Sequence, residues 1–208
     1  MGKYNLVFDN FVVELEEEYR WLEVTEWVYQ QWKKNSEDLN CLLCAGTELW
    51  YILLEANYYE NNPKISSYIE ILDKELVMKR LIEITRYGEE KFANEAIFNS
   101  YFGFMINVYP YFFVIENSYE EWLKKGHAMI DYSYKLEPDN LFVKAIYCEQ
   151  TDSENETTLF EGCKEMWSVT TPEQWGNSGV KQYFFYRLLG DYFYPDAYEK
   201  GNKDVDNE

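Results

Sequence analysis

The sequence predicts an all-α fold in which antiparallel helical hairpins form a bundle or a short repeat-like stack. Apolar residues recur three and four positions apart along almost the whole chain, the period of a helix with one buried stripe. Prolines, glycines and capping residues punctuate that pattern at intervals of a helix length. One stretch, Tyr111 to Ile115, is dense enough in large apolar residues for a strand, but a strand needs a partner and no other segment supplies one. At 208 residues with 47% hydrophobic composition the chain has material for one core. The expected organisation is a single helical domain over residues 1–195 and an acidic tail over 196–208.

The elements follow in order. A long first helix is expected from Asp9 or Asn10 towards Lys34, with Leu15, Tyr19 and Leu22 on one stripe and Trp21, Val28 and Trp32 on a second. Beyond Lys33, Lys34, Asn35 and Ser36 a second helix carries Leu39, Leu42, Leu43, Gly46, Leu49, Trp50, Leu53 and Leu54, and stops before Asn61, Asn62 and Pro63; as the most hydrophobic helix it belongs at the centre. A third, from Ser66 or Ser67, turns Ile69, Leu72, Leu76, Leu81 and Ile84 inward and ends near Gly88, a residue suited to the left-handed turn after a helix. A fourth runs from Glu89 to about Tyr109 before Pro110, pairing with the third as an antiparallel hairpin. Tyr111 to Ile115 then reads as a buried connector. Ser118 with Glu121 three residues later is a capping box that opens a fifth helix, stopping before Pro138. Leu141 to Glu149 makes a sixth, Thr157 to Trp167 a seventh, and a last helix follows the loop Gly176 to Gly179, after a further cap at Thr171 and Pro172.

The charge is uneven. Thirty-eight acids face 19 basic residues, for a net −19, and 20 tyrosines are among the aromatics. Residues 11–26 carry six glutamates against Arg20, residues 149–165 carry six acids against Lys164, and the tail adds five acids against two lysines. Like charges this close repel, a cost that interspersed lysines would remove, so a cationic partner is one reason to keep them. Nucleic acid is disfavoured as a direct ligand, because its binding relies on lysine and arginine against phosphate; anionic membrane surfaces are disfavoured for the same reason. No apolar run reaches bilayer length, and Met1 to Asn10 lacks the pattern of a signal peptide, so a cytoplasmic protein is expected.

Few parts for catalysis are present. His127 is the sole histidine, and no nucleophile elbow, phosphate loop or dinucleotide fingerprint accompanies it. Cys41 and Cys44 form a Cys-x-x-Cys inside a helical pattern, with Cys148 and Cys163 spaced 15 apart rather than as a second such pair, so reduced, packed thiols are expected instead of a metal site. Glu48, Glu55 and Glu95 read as solvated faces or helix-end salt bridges rather than an acid–base pair. The expectation is a protein without enzymatic activity, cofactor or metal. Partner binding is placed on Glu14, Glu17 and Glu18, on Asp152, Glu154 and Glu156, and on Tyr58, Tyr59 and Trp175, since exposed Tyr and Trp beside charge resemble interface anchors.

Two resemblances sharpen this. Gly126, Ile130, Ser133 and Pro138 are similar to the small, large, small, proline spacing of the second helix of a tetratricopeptide repeat, over half of one repeat. The stretch Tyr101 to Phe113, followed by Leu136-Glu137-Pro138-Asp139-Asn140, resembles helical immunity proteins of contact-dependent growth-inhibition systems. That likeness covers less than a quarter of the chain and carries over no functional residue. It implies a mechanism, occlusion of the active site of a basic toxin domain such as a nuclease. A tetratricopeptide-like adaptor that grips a peptide and an acidic mimic of nucleic acid are the alternatives.

Overall fold

The computed structural model describes residues 10–63, 65–115 and 118–150. The seventh and last helices, the tail, Cys163, Asp152, Glu154, Glu156 and Trp175 lie outside the described residues. Within them the chain is all-α, with eight α-helices, one 3-10 turn and no strand: α1 (Asn10–Glu17), α2 (Trp21–Lys34), α3 (Leu39–Tyr58), α4 (Ser66–Glu70), α5 (Lys74–Lys91), α6 (Ala96–Val108), the 3-10 turn (Pro110–Phe113), α7 (Tyr119–Leu136) and α8 (Leu141–Gln150).

The long first helix is in fact two. Tyr19 adopts a left-handed backbone, φ 56°, and the chain closes α1 with paired reverse hydrogen bonds, Arg20 N–H to Leu15 O at 2.9 Å and Tyr19 N–H to Glu16 O at 3.0 Å. This is a Schellman ending with tyrosine where glycine is usual. The break corrects the first expected stripe, since Leu15 is buried but Tyr19 and Leu22 are exposed; α1 buries Val12 and Leu15, and α2 buries Trp21, Val24, Val28 and Trp32, which keeps the second stripe.

α3 takes the central place that its composition predicts. Its side chains from Leu42 to Trp50 are all buried, and α2, α5 and α6 pack around it. Asp38 caps its start by accepting from Asn40 N–H at 2.8 Å. Gly46 lets the Phe102 ring of α6 lie against the α3 backbone, since a Cβ there would stand 2.4 Å from the ring. Trp50 donates across the same interface to Met105 O at 3.2 Å. α3 is also the one described helix long and apolar enough to cross a bilayer, but most of it is enclosed by protein, as befits a core helix.

The expected third helix also divides. Asp73 caps α5, accepting from Leu76 N–H at 3.0 Å, and the new start turns Leu76 outward, 41% exposed. Gly88 does not end α5 but lies within it, because the Phe98 ring occupies the space where its Cβ would be, 2.1 Å away. α5 continues through Lys91, so α6 begins only at Ala96. The two do not form the expected hairpin: α5 lies against α3, whereas α6 packs chiefly on α7.

The α6–α7 pair uses small residues at its crossing. Cβ atoms at Gly103 and Gly126 would each stand about 3 Å from the other helix's backbone carbonyl, and Ser100 and Ser133 hydroxyls meet at 3.0 Å between them. Thus Gly126, Ile130 and Ser133, the tetratricopeptide-like trio, serve close helix packing. The connector between the two helices is a 3-10 turn with Phe112 and Phe113 buried and Tyr111 exposed. Ser118 and Glu121 form the capping box expected of them, at 2.8 and 3.3 Å.

Candidate functional site

α1 is a helix that resists its own charge. Glu14, Glu17 and Glu18 fall three and four residues apart and so share one side, where like charges cost about 0.2–0.5 kcal/mol per pair in an isolated helix. Glu17 and Glu18 also stand at the C-terminal end, where the helix dipole disfavours anions. All three are exposed. Arg20, the cation of this segment, bridges Glu18 at 2.8 Å and grips Glu23 through two bonds of 2.6 and 2.7 Å. Glu26 is drawn away to Arg80 of α5 at 2.5 Å. Glu14 and Glu17 make no ion pair among the described residues.

Beside this end of α1 lies a group of tyrosines. Tyr58 and Tyr59 close α3 with their rings edge to face, centroids 4.8 Å apart. Tyr58 is 75% exposed, while Tyr59 packs partly on the core. Burial first, then Glu55, Tyr58 and Tyr19, raise the Tyr59 hydroxyl above its ordinary value, which places the α1–α2 turn against the end of α3. Tyr19 in turn meets Tyr68 of α4 at 6.3 Å and Trp21 at 5.9 Å. The predicted residues Glu14, Glu17, Glu18, Tyr58 and Tyr59 therefore belong to one end of the molecule. Tyr19 and Tyr68 join them. Neither stood out in the sequence, since Tyr19 had the spacing of a core position and Tyr68 lay in a segment read as the start of a longer helix.

Underneath the face is a second acidic layer that the sequence misassigned. Glu48 is not on a solvated face: it is completely buried in the middle of α3. Burial pushes its carboxyl well above the usual range, and the adjoining Glu16 of α1 pushes it in the same direction. Glu55, two turns on and half-buried, is raised to about 7 by burial first and by Glu16 second. Tyr51, between them, is raised for the same reasons. Glu95, by contrast, sits exposed at the start of α6. The missed signal was positional, because the spacing 45, 48, 52 follows the buried stripe of α3.

Elsewhere the chemistry is quiet. Cys41, Cys44 and Cys148 are thiols outside any disulfide. Burial raises the Cys41 and Cys148 thiols, which lowers their thiolate fraction. His127 is exposed on α7. Among the described residues no group of three histidine, cysteine or acidic side chains is placed to hold a metal ion. Comparison of the chain with protein-family models, with curated proteins and with solved structures gives no match.

Proposed function

We propose that this chain is a binding protein that captures a basic protein through the acidic, tyrosine-rich end formed by α1, the α1–α2 turn, the end of α3 and α4. The observation that carries the reading is that the exposed, same-sided carboxylates of Glu14, Glu17 and Glu18 run directly into Tyr19, whose ring meets Tyr68 and which stands near Tyr59 of the Tyr58–Tyr59 pair. Carboxylates steer a cationic surface into place and speed encounter; tyrosines, which lose little rotamer freedom, slow departure. In the finer form of the proposal the partner is a toxin domain, such as a nuclease, whose basic substrate-binding groove is filled so that its active site is closed. The protein then acts as an immunity protein in the cytoplasm of the cell that makes the toxin, with no catalysis of its own. The resemblance of Tyr101 to Phe113 and Leu136 to Asn140 to helical immunity proteins supports the finer form.

The test is kinetic. With a basic toxin domain encoded beside this gene as the partner, the association rate should fall steeply between about 50 and about 200 mM salt. It should fall again when Glu14, Glu17 and Glu18 are changed together to glutamine. Replacing Tyr58 and Tyr59 with alanine should instead speed dissociation. Association that ignores both salt and the three glutamates removes the electrostatic reading.

A further inference from the structure

The buried carboxyls have a consequence of their own. Glu48 lies in the interior, and neither of its oxygens has a hydrogen-bond partner of good geometry. Its charged neighbour is another acid, Glu16, which comes from a different helix. An ionised carboxylate in such a place is strongly disfavoured without a paired cation, and two carboxylates that share a site do not both ionise readily.

Five cations of the elements around α3 hold other partners. Arg20 holds Glu18 and Glu23, Lys33 holds Glu83, Arg80 holds Glu26, Lys91 holds Glu37, and Lys74 reaches Glu60 and Asn57. From α3 itself Tyr51 and Glu55 face the same acids, and Tyr59 stands beyond Glu55. From α6 Tyr101 stands near Cys44, one turn before Glu48. Every one of these described neighbours is an acid, a phenol or a thiol, so none offsets a negative charge at Glu48.

α1 is short, packs chiefly on α2 and reaches α3 through Glu16. It has eight residues and buries two side chains, Val12 and Leu15, and it is joined to α2 through the left-handed Tyr19. We propose that α1 is a proton-controlled clasp: it seats against α3 while the Glu16–Glu48 pair retains a proton, and it loosens as that proton leaves. Since α1 carries Glu14 and Glu17 and leads into Glu18 and Tyr19, the clasp sets the shape of the acidic end. The inference concerns the free protein and does not rest on what that end binds.

The sign follows from the burial. An isolated, solvated glutamate ionises near 4.5, whereas the folded site keeps its proton to higher pH. Below that ordinary value both states are protonated and α1 is held most firmly. As the pH rises, only the unseated state gains from ionisation, so seating weakens. This is opposite to the usual paired carboxylate, which stabilises at neutral pH and fails in acid.

The experiment is amide hydrogen exchange on the full chain at about pH 6 and about pH 8, each amide corrected for its intrinsic rate, with α7 as the internal reference. Protection of the α1 amides should fall by about tenfold or more at the higher pH while that of α7 holds, tenfold corresponding to one unit of carboxyl shift. E48Q, which keeps the shape and removes the charge, should abolish the difference and leave α1 protected at both pH values. E16Q serves as the second variant and should reduce the difference. If wild-type and E48Q show the same pH dependence in α1, or if α1 protection rises with pH, the clasp is wrong.

Discussion

At the residue scale, two side chains decide most of what is unusual here, and they differ in how far a sequence reveals them. Glu48 follows the spacing of a buried stripe, so its burial is legible from position, whereas its residue type points to solvent. Tyr19 was not legible. A left-handed tyrosine costs roughly 1–2 kcal/mol, and only the tertiary contacts with Trp21 and Tyr68 show what offsets it. Glycine commonly ends helices, which points to a helix end at Gly88, yet its role is to admit the Phe98 ring. Gly88→Ala should therefore destabilise the fold by about 1–3 kcal/mol, the range for overpacking a filled site. Urea denaturation checks this. A loss under about 0.5 kcal/mol, typical of a surface position, would mean the ring moves aside freely.

At the element scale, helix existence was readable from periodicity, and helix boundaries depended on local chemistry that competes with it. Ser118 and Glu121 gave the start of α7 because the capping box satisfies backbone amides with side chains only three residues apart. Ser118→Ala should cost about 1 kcal/mol, measurable as a lower denaturation midpoint with an unchanged slope. An unchanged midpoint would show that Glu121 or water replaces the hydroxyl. The breaks at Tyr19 and between α4 and α5 were not readable as breaks, since the apolar spacing runs across both. Asp73 was the available clue for the second, an acid that captures Leu76 N–H and restarts the helix. Pairing was harder still. α5 and α6 are consecutive and of helical period, but α5 is tied to α2 by direct side-chain contacts: Tyr29 and Lys33 both bond Glu83, and Arg80 stacks on Tyr29 at 4.5 Å from the ring centroid. Sequence order alone does not contain that geometry.

At the scale of the whole molecule, the all-α class and the central place of α3 followed from composition and period, because a helix apolar on every side is stable only when enclosed. The distribution of charge is more selective than the net −19 suggests. In residues 11–26, Glu18, Glu23 and Glu26 are paired with arginine, and Glu16 faces inward, so the outward field of that segment comes chiefly from Glu14 and Glu17 with help from Glu18. That is a smaller and better-defined patch than six glutamates in a row, and it adjoins the tyrosines. The pH response belongs to this scale as well. Glu55, held near 7, and the Glu16–Glu48 pair both favour folding at lower pH, so thermal stability should decline as the pH rises from about 5 to about 8, and E48Q should be the more stable protein at the upper end. A wild-type melting temperature that climbs across that interval would show the buried carboxyls to be compensated.

The most direct measurement of the central claim is affinity capture from the producing cell, with the wild-type chain and a variant carrying E14Q, E17Q, E18Q, Y58A and Y59A as parallel baits, followed by mass spectrometry and by rebinding of the purified captured protein. The account predicts a basic protein that binds the wild type, weakens steeply with added salt and is lost on the variant. Tight binding by a neutral or acidic protein, or equal binding to both baits, would contradict it.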